Sequence, residues 1–131
     1  MDVAVLFANE AFYAAFTGRD LEAMEKVWSQ RDNITCIHPG WTPLIGREAV
    51  MESWRAILTN PQSPQVNVTG ASAALMGEVA YVVCYEHLSD AVLAATNIFV
   101  HEDGWWRLVH HQAGTAPPPA ETEVEEPMRV Q

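Results

Sequence analysis

Apolar residues recur at steps of three and four along the first part of the chain, which is the spacing of amphipathic helices. Residues 2–16 follow this pattern and predict a first helix, which ends at Gly18 and Arg19. Asp20 is suited to cap a second helix because its side chain accepts hydrogen bonds from free backbone N–H groups. The predicted buried face of that helix is Leu21, Met24, Val27 and Trp28. The same spacing returns over residues 47–59 and predicts a third helix, which the prolines of residues 60–64 close.

Elsewhere the pattern changes to β-branched and apolar runs bounded by turn residues, which is typical of strands. Ile34–Ile37 is a short candidate between the second and third helices. The second half of the chain contains four longer ones: Val66–Leu75, Val79–Leu88, Ala91–His101 and Trp105–Ala113. Their short separations indicate an antiparallel meander. Three helices followed by these strands predict an α+β fold, with the helices covering one face of a curved sheet.

Composition divides the chain into one domain and a tail. Residues 1–116 have the apolar content of a globular domain, and the whole chain is 49% hydrophobic and 18% charged. From residue 117 prolines and glutamates dominate, so we predict that residues 117–131 form an acidic, Pro-rich tail with little structure of its own.

Charge and cysteine content narrow the partners and the compartment. Seven basic residues stand against 17 acidic ones, for a net charge of −10, which argues against binding to nucleic acid and to anionic membrane surfaces. The N-terminus lacks the basic region of a secretory signal, and no apolar run reaches the roughly 20 residues of a membrane span. Cys36 and Cys84 lie far apart in strand-like runs, which favours buried thiols and a cytoplasmic protein.

His38 is the first candidate for chemistry. It stands where a predicted strand stops at Pro39-Gly40, beside Trp41. A titratable ring at a strand end, with bulky aromatic residues nearby, is typical of the mouth of a small apolar pocket. The alternative interpretation is a histidine that is simply hydrogen-bonded at a turn.

Several segments together resemble the SnoaL-like branch of the nuclear transport factor 2-like superfamily, over residues 2–115. They are Phe16-Thr-Gly-Arg-Asp-Leu-Glu-Ala-Met24, Ile37-His-Pro-Gly-Trp-Thr-Pro-Leu-Ile-Gly46, Ala49-Val-Met-Glu-Ser-Trp54 and Gly104-Trp-Trp-Arg-Leu-Val-His-His-Gln-Ala113. The resemblance implies a cone-shaped α+β barrel of the cystatin-like type, with three N-terminal helices on a curved antiparallel or mixed sheet. It also implies an apolar cavity between helices and sheet, and commonly a homodimer through the outer sheet face. The fold hosts isomerases, cyclases, dehydratases and non-catalytic modules, so it does not name a reaction.

Ketosteroid isomerase, a catalytic relative in this superfamily, offers a closer comparison. Its helix-1 tyrosine corresponds to Tyr13, its aspartate base to His38, and its protonated aspartic acid falls near Thr96, next to Asn97. The resemblance therefore implies that the hydroxyl donor is kept, the base is exchanged for imidazole and the buried acid is lost. Steroid-type isomerisation is therefore not expected. Proton transfer by His38, with Tyr13 as the hydroxyl donor, stays open.

Five further residues are candidates for binding a substrate: Trp41, Trp54, Glu86, His110 and Gln112. Trp41 suits a pocket rim, and Trp54 falls on an apolar helix face. His110 and Gln112 share one face of the last strand, which we place towards the cavity because Arg107 on the other face favours water; a bulge would reverse this. Glu86 projects to solvent or a dimer face, or else points inward and orients a histidine. We expect no metal and no cofactor, because His38 and His110 lack a third ligand at motif spacing.

Three functions remain open at this stage. The chain is an enzyme using His38 and Tyr13 on an apolar small molecule, a ligand-binding module without turnover, or a protein-interaction module. A homodimer is expected because both faces of the strand candidates are largely apolar, for example in Val79–Leu88, and helices cover only one face.

Overall fold

Three helices and six strands make up residues 2–120, which are the residues described by the computed structural model of the chain. The helices are α1 (Asp2–Thr17), α2 (Leu21–Val27) and α3 (Arg47–Thr59). The strands are β1 (Thr35–Ile37), β2 (Leu44–Ile45), β3 (Asn67–Met76), β4 (Val79–His87), β5 (Val92–Glu102) and β6 (Trp105–Thr115). The predicted α+β fold is confirmed, and only the two-residue β2 was not predicted.

The six strands form one mixed sheet in the order β2-β1-β6-β5-β4-β3. Strands β3 to β6 form the predicted antiparallel meander, whereas β1 pairs with β6 in parallel. This parallel pair places the residue that follows β1, His38, near the C-terminal half of β6, because Ile37 lies opposite Gln112. The sheet therefore brings the two histidine-containing segments of the sequence together.

Local chain signals fix the helix ends. The Asp20 side chain accepts a hydrogen bond from the Ala23 N–H at 3.1 Å, which confirms Asp20 as the N-cap of α2. Arg19 has a φ of 53°, and its guanidinium donates to the Asn60 carbonyl at 2.6 Å and to the Ser63 carbonyl at 2.5 Å. Arg19 thus ties the end of α1 to the loop that leads from α3 into β3.

Aromatic rings fill the space between the helices and the inner face of the sheet. The Phe12 ring lies at the centre, with neighbouring ring centroids at distances from 4.7 to 6.3 Å. Those neighbours are Tyr13, Phe16, Trp28, Trp54 and His111. Both Cys36 and Cys84 are buried and free, as the sequence predicted.

The outer face of the sheet carries apolar side chains that no helix covers within residues 2–120. Met76 at the end of β3 is 61% exposed, and Tyr81 and Val83 of β4 are 38% and 44% exposed. In the same part of the chain, no helix is long and apolar enough to cross a membrane. The tail prediction concerns mainly residues 121–131, which lie outside the described residues; residues 117–120 have no regular secondary structure.

Candidate functional site

A bulge in β6 decides which of its histidines faces inward. Ile98 lies opposite His110 while Phe99 lies opposite Leu108, so Val109 is an extra residue on β6. One extra residue reverses the alternation of side chains beyond it. His111 is therefore buried on the inner face, and the prediction that His110 and its neighbour Gln112 face the cavity is wrong.

Gln112 is exposed, and His110 is half-buried on the outer face, where its Nδ1 lies 2.6 Å from Thr35 Oγ1. The sequence missed His111 because strand periodicity alone does not show a bulge. The one available signal was the pair of adjacent histidines, His110 and His111. Successive side chains of a strand point to opposite faces, so one of the two must point inward.

A second bulge, in β3, borders a groove beside α1. Thr69 lies opposite Tyr85, and Ser72 lies opposite Val83. Two β3 residues, Gly70 and Ala71, therefore face the single β4 residue between those partners. Gly70 has a φ of 67°, which favours glycine. The groove has a volume of about 400 Å³ and is lined from α1 by Leu6, Asn9, Glu10, Tyr13, Ala14 and Thr17, and from the other side by residues 66–71. Bulges recur beside active sites because they interrupt pairing and redirect side chains.

Five buried polar side chains from α1 and three neighbouring strands form one hydrogen-bonded network, and two of the five, Asn9 and Tyr13, also line this groove. The Tyr13 hydroxyl donates to Glu86 Oε2 at 2.5 Å. The Asn97 amide donates to Tyr13 Oη at 3.2 Å and to Asn9 Oδ1 at 2.8 Å. Asn97 Oδ1 lies 2.5 Å from His111 Nδ1. None of the five residues is more than 5% exposed, so all of these partners are shielded from water.

Burial favours the uncharged form of every titratable group in the network. It raises the pKa of Glu86, and the hydrogen bond from Tyr13 offsets only part of that shift. Burial, followed by the proximity of Glu86, raises the pKa of Tyr13, and burial lowers the pKa of His111 to about 3. Within residues 2–120, no Lys or Arg side chain forms a salt bridge with Glu86. The basic side chain within 4 Å of its carboxyl group is that of His111, whose Nε2 lies 3.8 Å from Glu86 Oε2. Neutral Tyr13 and His111 therefore surround a carboxyl group that is shifted towards its neutral acid.

His38 belongs to a second cluster. Its Nε2 lies 3.0 Å from Ser53 Oγ, and the Ser53 hydroxyl donates to the Val50 carbonyl at 2.7 Å. The ring packs edge-on against Trp41 and Trp54, with centroids at 4.8 and 4.9 Å. Burial lowers the pKa of His38 to about 4.

The structure does not bring His38 and Tyr13 into direct contact. His38 is absent from the lining of the α1–β3 groove, and its link to the Tyr13 network passes through His111, whose ring centroid is 6.4 Å away. Joint action of the two predicted catalytic residues, His38 and Tyr13, on one ligand stays a prediction.

The remaining candidates occupy different environments. Trp54 is fully buried in the core, whereas Trp41 is 46% exposed beside His38. Glu86 points inward, the second of its two predicted orientations. Thr96 is exposed, but its neighbour Asn97 is buried in the network. The alignment placed the buried acid near Thr96 on β5 and therefore indicated that it is lost. The structure instead shows a carboxyl group beside Tyr13 from the neighbouring strand β4, that of Glu86.

In the described residues, no group of three or more His, Cys, Asp and Glu side chains is placed to hold a metal ion. The buried network instead offers hydroxyl, amide, carboxyl and imidazole groups, which hold and move protons.

Comparisons with known proteins bear on the fold and the site. Residues 5–117 match the family model of the SnoaL-like domain. A proposed calcium/calmodulin-dependent protein kinase type II association domain from Thiobacillus denitrificans is 32% identical, with a TM-score of 0.77 over 84% of this chain and 93% of that chain. A proposed dehydratase of the nuclear transport factor 2-like family from Streptomyces avermitilis is 29% identical, with a TM-score of 0.79 over 88% of this chain and 95% of that chain.

A curated relative, the F-box protein SKIP8 of Arabidopsis thaliana, is 26% identical over 112 residues, which cover 84% of this chain. The match covers 48% of that relative, so the chain spans about half of its length.

Proposed function

This chain belongs to the SnoaL-like domain family, and we propose that it binds an uncharged small molecule in the groove between α1 and β3 and performs acid/base chemistry on it through Tyr13 and Glu86. The observation that carries the proposal is the 2.5 Å hydrogen bond between the Tyr13 hydroxyl and Glu86 Oε2, in a buried network that reaches the groove through Tyr13. The family's fold serves both enzymes and binding proteins, so the argument depends on these groups.

The pair suits the stabilisation of negative charge on a ligand oxygen. When Glu86 is a neutral acid, its O–H can donate to Tyr13 Oη, while the Tyr13 hydroxyl turns and donates to the ligand. The Asn97 amide already donates to the same phenol oxygen at 3.2 Å. Two hydrogen bonds to Oη make the phenol a stronger donor, and a neutral buried acid beside a tyrosine is an effective stabiliser of an enolate-type oxygen.

The groove lining supports an uncharged ligand. No Lys, Arg or His is among its lining residues, and Glu10 is its one ionisable carboxylate. A phosphate or carboxylate ligand would find no positive partner there. Carbonyl or hydroxyl compounds fit better, and the similarity to a proposed dehydratase supports a reaction in which a proton moves at such a group.

His38 remains a candidate base in this proposal. Because Ser53 already donates its one hydroxyl proton to Val50, the Nε2 of His38 is the donor to Ser53, which leaves Nδ1 as its unprotonated nitrogen. Tyr13 and Glu86 nevertheless carry the proposal, because Tyr13 lines the groove and His38 does not.

Binding of 4-fluorophenol, followed by fluorine NMR, tests the hydroxyl donor. We expect Tyr13→Phe and Glu86→Gln each to weaken binding about tenfold or more, because a hydrogen bond to a charged or strongly polarised oxygen contributes about 1.5–3 kcal/mol. Tyr81→Phe is the matched control, since Tyr81 lies on the outer sheet face. Equal affinity in wild type and Tyr13→Phe would remove the tyrosine from the site.

Turnover is tested separately with 2-tetralone in deuterated water. We expect the wild-type protein to accelerate exchange of the protons next to the ketone, and Tyr13→Phe to lose that acceleration. Exchange at the rate of buffer alone, together with tight phenol binding, would favour the non-catalytic ligand-binding alternative.

We also propose that the chain forms a homodimer through the outer face of its sheet. The support is the row of exposed apolar side chains on β3 and β4, including Met76, Tyr81 and Val83. The similarity to a proposed kinase association domain is compatible with assembly through this fold.

A further inference from the structure

A second groove lies on a different face of α1 from Tyr13. It has a volume of about 430 Å³ and runs between α1, the end of α2 and the start of β6. Its α1 wall consists of residues at three- and four-residue steps, which share one helix face: Ala4, Phe7, Ala8 and Ala11. None of these four lines the α1–β3 groove, so the two grooves are separate sites.

Large aromatic side chains border this second groove and are open to solvent. Phe7 is 66% exposed and Trp105 is 65% exposed, more than any other Phe, Tyr or Trp side chain of residues 2–120. Val27 and Trp106 also line the groove and pack against the core. Small molecules are usually enclosed by their pockets, whereas exposed apolar surface of this kind is typical of sites that bind other proteins.

The second groove is also positively charged, in a chain whose net charge is −10. Lys26 and Arg107 line it, and no Asp or Glu is among its described lining residues. The Arg107 guanidinium donates to the Lys26 carbonyl at 2.5 Å, which uses one of its five N–H groups. Lys26 pairs with Glu22 at 3.7 Å, but the two side chains are 73% and 81% exposed, and surface pairs of this kind contribute little. Both cations are therefore available to a ligand.

We propose that the second groove is a docking site for a segment of another protein that carries apolar anchor residues next to Asp or Glu. The anchors cover Phe7 and Trp105, and the carboxylates pair with Lys26 and Arg107. Because the chain as a whole is acidic, long-range attraction does not bring such a segment in, and these two cations must hold it at short range.

The docked part of the partner is short. The α1 wall from Ala4 to Ala11 is about 10 Å long at 1.5 Å per residue, which matches about two helical turns or three extended residues. The inference does not depend on Tyr13 and Glu86, because neither lines the second groove.

Selection from a library of random peptides about twelve residues long, displayed on phage, tests the proposal on the full chain. We expect the sequences enriched on wild type to combine Leu, Phe or Trp with at least one nearby Asp or Glu. Panning on Phe7→Ser should not enrich them. A basic or neutral consensus, no enrichment at all, or the same sequences on Phe7→Ser would overturn the proposal.

Fluorescence polarisation of the most enriched peptide then assigns the contacts. We expect Phe7→Ser and Lys26→Glu each to weaken binding about tenfold or more, since a few anchor residues carry most of the affinity of such sites. Lysine in place of the acidic residues of the peptide should abolish binding to wild type and restore it to Lys26→Glu. Ile45→Ser and Arg55→Gln are the matched controls, because both side chains are exposed outside the groove.

Two other occupants have distinct signatures. Peptide binding that appears only after removal of residues 117–131 would assign the groove to the acidic tail of the chain itself. A lower mass of Phe7→Ser than of wild type in light scattering would assign it to a contact between copies. Either result overturns the proposal of a separate partner. If Phe7→Ser does not fold, Trp105→Ser replaces it in every measurement.

Discussion

Acidification should destabilise the fold through its two buried histidines before most carboxylates are protonated. Burial lowers the pKa of His38 to about 4 and that of His111 to about 3, against about 6.5 for an unfolded histidine. Between these values the unfolded chain binds protons that the folded chain refuses, so the free energy of unfolding falls as pH falls. Well above pH 6.5 both rings are neutral in both states, and their contribution is constant.

The size of the effect follows from these shifts. At pH 5 an unfolded histidine is almost fully protonated while His38 is mostly neutral, so the loss relative to pH 7 is about 2 kcal/mol for each ring. The raised pKa of Glu86 acts in the opposite direction, since its neutral form is stabilised in the fold and acidification favours it. The net loss is therefore smaller than about 4 kcal/mol, which is still a large part of the 5–15 kcal/mol of a small domain.

Urea unfolding followed by tryptophan fluorescence at pH 7, 6 and 5 measures this dependence. We expect His38→Gln to be less stable than wild type at pH 7, with the difference shrinking by about 2 kcal/mol at pH 5, because glutamine does not titrate. His101→Gln is the control for removing a histidine from the surface, since that side chain is 39% exposed. A difference between His38→Gln and wild type that is equal at pH 7 and pH 5 would refute the argument.

Three further predictions test other parts of the structure. Light scattering should give about twice the 14.5 kDa of one chain, and Val83→Glu on the outer sheet face should halve it; a monomeric wild type contradicts the dimer. Removing residues 117–131 should lower the melting temperature by less than about 5 °C, or roughly 1 kcal/mol, and a larger drop would show that the tail docks. Asp20→Ala should cost about 1 kcal/mol in urea unfolding through loss of the α2 cap, whereas the exposed Asp90→Ala should cost little; equal effects would contradict the cap.

The fold was predictable because its signals are local. Helix spacing, the Asp20 cap and the turn residues between β3, β4, β5 and β6 each act within a few residues. The site was predicted only in part, because it depends on register. The single extra residue Val109 moves His111 inward and His110 outward, and nothing in the alternation of β6 reveals it.

The carboxyl partner of Tyr13 illustrates the same limit. Glu86 and Tyr13 lie 73 positions apart, and their contact depends on how β4 packs against α1. The sequence left the orientation of Glu86 open for this reason. The same holds for Asn9 of α1, because the Asn97 amide that donates to its Oδ1 at 2.8 Å lies 88 positions away.

The irregular β3 strand also affects how this sheet meets other molecules. β3 is an outermost strand of the sheet that residues 2–120 form, so within these residues one row of its backbone N–H and C=O groups has no neighbouring strand. Long, regular edges of this kind recruit strands from other chains and promote aggregation, and bulges are a common protection. The distortion at Gly70 that borders the groove also interrupts the free edge midway along the strand. Straightening β3 would therefore remove the irregular wall of the groove and expose a continuous template for strand addition.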